Sequence, residues 1–152
     1  PSLLKLMGTK IASDLISESH YNPEQKLWRH VILNAIEDAQ LLNVDRKNSI
    51  NKMNAHNWIM YDEDFNKICW WAGWDPDDVR CQYKKAISQR SVKFYKKHIL
   101  WMQYTKYYNN LKIEKDLERR RALRKTVLAA RKAVFNATSI MVTSLICLRQ
   151  VQ

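Results

Sequence analysis

Apolar positions recur at three- and four-residue intervals along most of the chain, which is the spacing of one face of an α-helix. The clearest helix is predicted from Asn22 to about Leu42. Asn22, Pro23 and Glu24 supply an N-cap, a proline in the first helical position and an acidic first turn. The apolar residues of this segment share one face and are predicted to be buried: Trp28, Val31, Ile32, Ala35, Ile36, Ala39 and Leu42.

The same signals predict further helices on either side. Residues 9–19 carry Ile11, Ala12, Leu15 and Ile16 at helical spacing, which predicts a short amphipathic helix. A helix from Asp45 to about Met60 is expected to bury Ile50, Met53, Trp58 and Ile59. Acidic caps at Asp62 and Asp75 open two more helices, of which the first ends at Gly73.

The chain from Asp77 to Gln152 contains neither glycine nor proline. Long, nearly continuous helix is therefore expected there, with 88–91 and 109–110 as the most plausible breaks. The whole chain of 152 residues has only two glycines and three prolines, too few turn residues for a sheet protein of this size. We predict an all-α fold: a compact helical domain over 9–88 with a helix-turn-helix-like corner, followed by a long basic helical region over 89–152.

Basic residues are concentrated in the C-terminal half. Residues 1–60 hold seven basic and six acidic side chains, residues 61–80 hold two and six, and residues 81–152 hold seventeen and three. A positive potential of this size attracts polyanions, and neutralising phosphates releases counterions. DNA or RNA is therefore the predicted partner, and an acidic protein is the alternative.

Two groups of basic residues are the candidate phosphate contacts. They are Lys93, Lys96, Lys97 and Lys106 in the aromatic segment, and Arg119, Arg120, Arg121, Arg124, Lys125, Arg131 and Lys132 further along. In the second group, six apolar residues are predicted to line one side of the helix and to leave the arginines on the other. They are Leu117, Leu123, Val127, Leu128, Ala130 and Val134.

Aromatic residues are interleaved with the first basic group: Phe94, Tyr95, Trp101, Tyr104, Tyr107 and Tyr108. Exposed rings of this kind can stack on unpaired bases, which would suit a single strand. A stripe of Ile87, Phe94, His98, Trp101, Tyr104 and Tyr108 at helical spacing also fits a core or a homo-oligomer interface, and this second interpretation is the more frequent outcome for such patterns.

Residues 65–79 fit the geometry of a helix-turn-helix. Ile68 and Ala72 face inward, Cys69 is a small residue where two helices cross, Gly73 permits the turn, and Val79 anchors the second helix. The start of that second helix is acidic, whereas the first turn of a DNA-recognition helix faces bases and phosphates. An ordinary corner between two helices is the alternative.

Two motifs together resemble a family of small uncharacterised proteins of bacteriophages and prophages, over roughly residues 24–85. They are Leu27-Trp28-x-x-Val31-Ile32-x-x-Ala35-Ile36-x-Asp38-Ala39 and Asp64-Phe65-x-x-Ile68-Cys69-x-x-Ala72-Gly73-x-Asp75-Pro76-x-x-Val79-Arg80. The resemblance implies a phage or mobile-element protein that acts in the bacterial cytoplasm. It brings no settled activity and no catalytic residues.

No constellation of residues points to catalysis. The histidines are scattered, no Cys or His pair has zinc-ligand spacing, and Gly73 lies among bulky residues that exclude a phosphate-binding loop. Acidic residues at 62–64 and 75–78 could hold magnesium, but helix capping explains them. We expect a protein that is not an enzyme and has no cofactor, no metal and no small-molecule substrate.

Membrane and redox signals point to the cytoplasm. The chain has no apolar stretch long enough to span a bilayer, and its three cysteines are odd in number and widely spaced, which favours a reducing compartment. The leading hypothesis is a phage-type nucleic-acid-binding protein, either a DNA-packaging recognition subunit or a transcriptional regulator. The alternative is a protein–protein or oligomeric structural module that binds an acidic partner.

Overall fold

The computed structural model describes residues 22–138 and 141–142. Six helices are found in this part of the chain: α1 Pro23–Ala39, α2 Arg46–Tyr61, α3 Glu63–Trp71, α4 Pro76–Ser88, α5 Lys96–Ile113 and α6 Leu117–Asn136. A minimal antiparallel sheet pairs β1 (Phe94–Tyr95) with β2 (Met141–Val142). The predicted all-α fold is confirmed. The helix expected over 9–19 lies outside the described residues.

The helix starts follow the predicted caps. Asn22, Asp62 and Asp75 each have an extended backbone, and each side chain accepts a hydrogen bond from a backbone N–H two or three residues further on, at 2.7, 2.9 and 2.9 Å. Such bonds satisfy N–H groups that the first turn of a helix leaves without a partner. The local capping signals were therefore sufficient to place these three starts.

The helix ends depart from the prediction in two places. Helix α1 ends at Ala39, so Leu42 is not part of its buried face and is 56% exposed. The break expected at 109–110 is wrong, because α5 continues through both asparagines to Ile113. The chain breaks instead at 114–116, where Asp116 accepts a hydrogen bond from the Arg119 N–H at 3.1 Å and opens α6.

The chain divides into two compact units. Among the described residues, unit 1 comprises 22–41 and 54–93, and unit 2 comprises 42–53 together with 94–138 and 141–142. The predicted division placed 42–53 in the N-terminal domain, whereas these residues cluster with unit 2. Helix α2 supplies its first half to unit 2 and its second half to unit 1.

Unit 1 is held by apolar packing and by buried polar contacts. Ile32, Ile36 and Phe65 are fully buried. The buried Arg29 donates a hydrogen bond from Nε to the Ala72 carbonyl at 2.8 Å, and its guanidinium lies over the Trp74 ring. This contact ties α1 to the carboxyl end of α3.

In unit 2 the loop before α2 is bound to α5. His98 accepts a hydrogen bond at Nδ1 from the Tyr95 N–H, so its proton lies on Nε2, which donates to the Asn43 carbonyl at 2.9 Å. Burial lowers the pKa of His98 to about 4, which keeps the ring neutral. The Trp101 indole N–H donates to the Val44 carbonyl at 3.0 Å. These bonds explain why 42–53 belongs to unit 2.

Gly73 ends α3 in a left-handed conformation, with φ of +75°. Its N–H donates to the Trp70 carbonyl at 3.1 Å, and the Trp74 N–H donates to the Cys69 carbonyl at 2.9 Å, which together make a Schellman motif. A Cβ added at Gly73 would lie 3.3 Å from Gln25 Nε2. Positive φ at this position was predicted from the sequence and is confirmed.

We expect Gly73→Val to lower the free energy of unfolding by at least about 1–2 kcal/mol, the usual cost of left-handed backbone for a residue with a Cβ. Urea denaturation followed by circular dichroism measures it. Gly73→Asn is the matched control, since asparagine also adds a Cβ but tolerates this conformation. Equal losses in the two variants would mean that crowding against Gln25, rather than backbone strain, sets the cost.

Candidate nucleic-acid interface

Helices α5 and α6 form an antiparallel hairpin within unit 2. Three residues connect them, and they pack along their lengths. The rings of Trp101, near the start of α5, and Phe135, near the end of α6, lie 6.0 Å apart between centroids. The hairpin therefore carries every candidate basic residue except Lys93, which precedes it.

The hairpin is strongly basic. Residues 94–138 contain twelve lysines and arginines against three acidic residues, and no acidic residue follows Glu118. Two of the three carboxylates serve the connection: Glu114 accepts from the Lys115 and Asp116 N–H groups at 3.0 Å, and Asp116 caps α6. Two of the three acidic residues thus serve the connection and the cap of α6, and every charged residue of α6 after Glu118 is basic.

A groove of about 310 Å³ lies at the start of α6, lined by Lys115, Leu117, Arg120, Arg121 and Arg124. All five side chains are exposed. Arginine presents a planar fork of donors that matches two phosphate oxygens at once. Three of the predicted arginines therefore converge on one concave surface, which we call the basic groove. Sequence reasoning missed Lys115, although its position next to the arginine run was a usable signal.

Arg119 does not line this groove. It is five residues before Arg124 and so lies about 140° around the helix from it, at about 100° per residue. Lys125, Arg131 and Lys132 are exposed further along α6. The arginine run thus divides between two faces, which the sequence prediction did not distinguish.

The four predicted lysines are more dispersed. Lys96 opens α5 and Lys106 lies in its middle, both exposed, and Lys97 is half-buried. Lys93 is exposed but belongs to unit 1, immediately before β1. None of these four lines the basic groove.

The predicted separation of apolar and basic faces on α6 is wrong in part. Val127 and Val134 are buried as expected, but Leu117 is 71% exposed and Leu128 is 64% exposed. These two leucines share a face with arginines, at intervals of four and three residues along the exposed stripe Leu117, Arg121, Arg124, Leu128, Arg131 and Phe135. The exposed face of α6 therefore mixes cations with apolar side chains, and we call it the mixed stripe.

The predicted aromatic stripe is only partly helical. Phe94 is buried in β1, and His98 is buried in the first turn of α5, where its hydrogen bonds serve the fold. Trp101, Tyr104 and Tyr108 are half-buried along α5. Packing within unit 2 explains most of the stripe.

The corner between α3 and α4 lies in unit 1 and is acidic. Ile68, Cys69, Ala72 and Val79 are buried, as predicted for the residues between the two helices. The first turn of α4 instead carries exposed carboxylates at 75, 77 and 78, and Asp75 caps the helix. These charges would repel phosphate, so this corner offers no electrostatic support for reading DNA.

The described residues contain no group of three or more His, Cys, Asp and Glu side chains that could hold a metal ion. Cys69 is buried, which raises the pKa of its thiol to about 12, and Cys81 is an exposed free thiol. In the part of the chain that the structure describes, no helix is long and apolar enough to cross a membrane.

Comparisons of the chain with protein-family models, with curated proteins and with solved structures found no match.

Proposed function

We propose that this protein binds nucleic acid through the α5–α6 hairpin, with phosphates held in the basic groove. The observation that carries the proposal is the convergence of Arg120, Arg121, Arg124 and Lys115 on one concave surface. A basic composition alone does not require a binding site, because lysines spread over a solvated surface would give the same composition. Several guanidinium groups on one groove, on a hairpin with twelve basic and three acidic residues, favour a polyanion.

The arrangement supports phosphate contact more than base readout. Phosphate contacts position a protein on nucleic acid without reading sequence. Three guanidinium groups and one ammonium group on a single groove match the charge of several phosphates. We infer binding with little sequence preference. A phage-encoded role in the bacterial cytoplasm, as DNA-packaging recognition subunit or transcriptional regulator, follows from the resemblance of residues 24–85 and belongs to the same proposal.

A salt titration of binding tests the proposal. We expect a fluorescently labelled duplex or single-stranded oligonucleotide to bind in low salt. A plot of the logarithm of the association constant against the logarithm of the salt concentration should fall with a slope of about −3 or steeper. That slope corresponds to four phosphate contacts. Fluorescence anisotropy measures both. The proposed function would be refuted if neither the duplex nor the single strand bound in low salt.

A protein partner is the second candidate, and the mixed stripe favours it. Leu117 and Leu128 are exposed beside arginines, and apolar side chains contribute little to phosphate contact. An acidic protein, or a second copy of the chain, would cover both kinds of side chain. Sedimentation velocity of the free protein across a concentration series tests for a second copy as the partner. Self-association would appear there as a sedimentation coefficient that rises with protein concentration, without any nucleic acid present.

A further inference from the structure

Four aromatic rings of unit 2 form a continuous row along the hairpin. The centroid distances are 6.0 Å from Phe135 to Trp101, 5.8 Å from Trp101 to Tyr104 and 6.0 Å from Tyr104 to Tyr108. The first two pairs meet edge to face, and the two tyrosines are stacked with 18° between their planes. We call these four residues the aromatic row.

Cations accompany the row on both helices and on α2. The Arg131 guanidinium lies 5.8 Å from the Phe135 centroid, Arg46 lies 5.5 Å from Tyr104, and the Lys112 ammonium lies 4.8 Å from Tyr108. Cation–π attraction accounts for these positions. Three of the four rings in the row therefore each have a cation within about 6 Å of the ring centroid.

Phe135 differs from the other members of the row. The Trp101 indole is held by its bond to Val44, and Trp101, Tyr104 and Tyr108 are half-buried, so packing explains them. Phe135 is 63% exposed, although the neighbouring Val134 is fully buried. Packing within unit 2 therefore accounts for three rings, whereas Phe135 meets Trp101 edge to face and leaves most of its own surface open to solvent.

A ring in this setting suits an unpaired base. In a duplex the base faces are covered by their neighbours, whereas a single strand exposes them for stacking on aromatic side chains. The cation beside Phe135 would hold the phosphate that accompanies the stacked base. Aromatic platforms combined with a basic track are the usual means by which proteins hold single strands without sequence preference.

We propose that the hairpin prefers single-stranded over double-stranded nucleic acid, and that Phe135 stacks on an unpaired base. This inference rests on the proposed function, because the basic groove supplies the phosphate contacts on which stacking depends. The ligand class is a flexible strand of DNA or RNA with unpaired bases. The basic groove at the start of α6 and Phe135 near its end would contact different nucleotides of one strand, since the helix is roughly 30 Å long.

The test compares oligothymidylate and oligouridylate, which form no base pairs, with a DNA hairpin duplex of similar charge. Fluorescence anisotropy is measured for the full chain and for Phe135→Ala, Phe135→Trp and Leu128→Ala. Leu128 is the matched control, because it is equally exposed on the mixed stripe but carries no ring.

We expect the parent to bind at least one single strand more tightly than the duplex. Phe135→Ala should weaken single-strand binding about five- to tenfold, the lower part of the range for one stacked base, and change duplex binding by less than about twofold. Phe135→Trp should retain the single-strand affinity, and Leu128→Ala should bind as the parent does.

Three results would overturn the inference while leaving the proposed function intact. They are a parent that prefers the duplex or binds both forms equally, a Phe135→Ala variant that binds single strands unchanged, and a Leu128→Ala variant that loses as much as Phe135→Ala. If the parent binds neither form, the proposed function itself fails, and the inference fails with it. Preference for DNA over RNA, or the reverse, supports the inference in either case and identifies the strand.

Discussion

Changing Arg120, Arg121 and Arg124 together to glutamine is expected to weaken nucleic-acid binding on the order of a hundredfold at about 0.15 M salt. The size follows from counterion release, in which each lost phosphate contact reduces the slope of log affinity against log salt by about 0.7 to 0.9. Three lost contacts should therefore flatten that slope by about 2 to 3. Anisotropy titrations at several salt concentrations give both quantities.

A control variant with the same loss of charge separates the groove from net charge. Lys67, Lys84 and Lys85 are exposed in unit 1, and changing all three to glutamine also lowers the net charge by three. We expect this variant to retain affinity within about threefold, since none of the three lysines lines the basic groove. Equal loss in the two triple variants would show that overall charge, rather than the groove, drives binding.

A single variant tests the geometry of the arginine run. Arg119 is adjacent to Arg120 in sequence but lies outside the basic groove. We expect Arg119→Gln to weaken binding less than Arg120→Gln, although both remove one guanidinium from the same turn of α6. Anisotropy measures the affinity of both variants. If Arg119→Gln bound more weakly than Arg120→Gln, the assignment of the groove would be wrong.

The sequence predicted those features of the fold that depend on local chemistry. Caps at Asn22, Asp62 and Asp75 opened helices where expected, and Gly73 marked a left-handed turn, because each signal acts within a few residues. The break expected at 88–91 is also confirmed, since α4 ends at Ser88.

Other features could not be predicted from local chemistry. At the end of α4, Arg90 takes a left-handed conformation with φ of 60°, in the position where α3 uses Gly73. This turn contains no glycine, so the sequence carried no signal for its left-handed conformation. The grouping of 42–53 with unit 2 depends on hydrogen bonds that His98 and Trp101 make with carbonyls more than fifty residues away. Hydrogen bonds between residues so far apart in sequence do not change the periodicity of apolar residues, so that periodicity could not predict them.

The candidate site was predicted in composition but not in arrangement. The arginines of α6 were identified from charge, and the groove then separates Arg119 from its three neighbours. Leu117 and Leu128 were assigned to the buried side because they are apolar, yet α6 buries only a narrow face along Val127 and Val134. Which face of a helix is buried depends on its partner helix, and here that partner is α5.

Lys52→Met is expected to stabilise the protein near pH 6 by roughly a few kcal/mol, because an apolar side chain of similar volume removes the cost of holding a charged ammonium in the core. Lys52 is fully buried in unit 2, with its ammonium 4.5 Å from the Phe94 ring centroid. Burial lowers the pKa of Lys52 from 10.5 to about 7. The charged form is therefore less favourable in the folded protein than in the unfolded chain.

The pH dependence of this stabilisation has a defined sign. Between about pH 7 and pH 10.5 the unfolded chain holds the Lys52 proton and the folded protein releases it, so the stability contributed at this position rises with pH. The penalty is complete below the folded pKa and vanishes above the unfolded pKa. The advantage of Lys52→Met over the parent should therefore be largest near pH 6 and shrink steadily towards pH 10.

Urea unfolding of the two proteins at several pH values between about 6 and 10 measures this difference, and the subtraction removes the contribution of every other titrating group. His98, the neighbouring titratable ring, stays neutral over this range because its pKa is about 4. Lys47→Met, at an exposed position of the same helix, is the matched control and should show no pH-dependent gain. A Lys52→Met variant less stable than the parent at pH 6 would mean that contacts of the ammonium with Phe94 and its surroundings outweigh the cost of burying the charge.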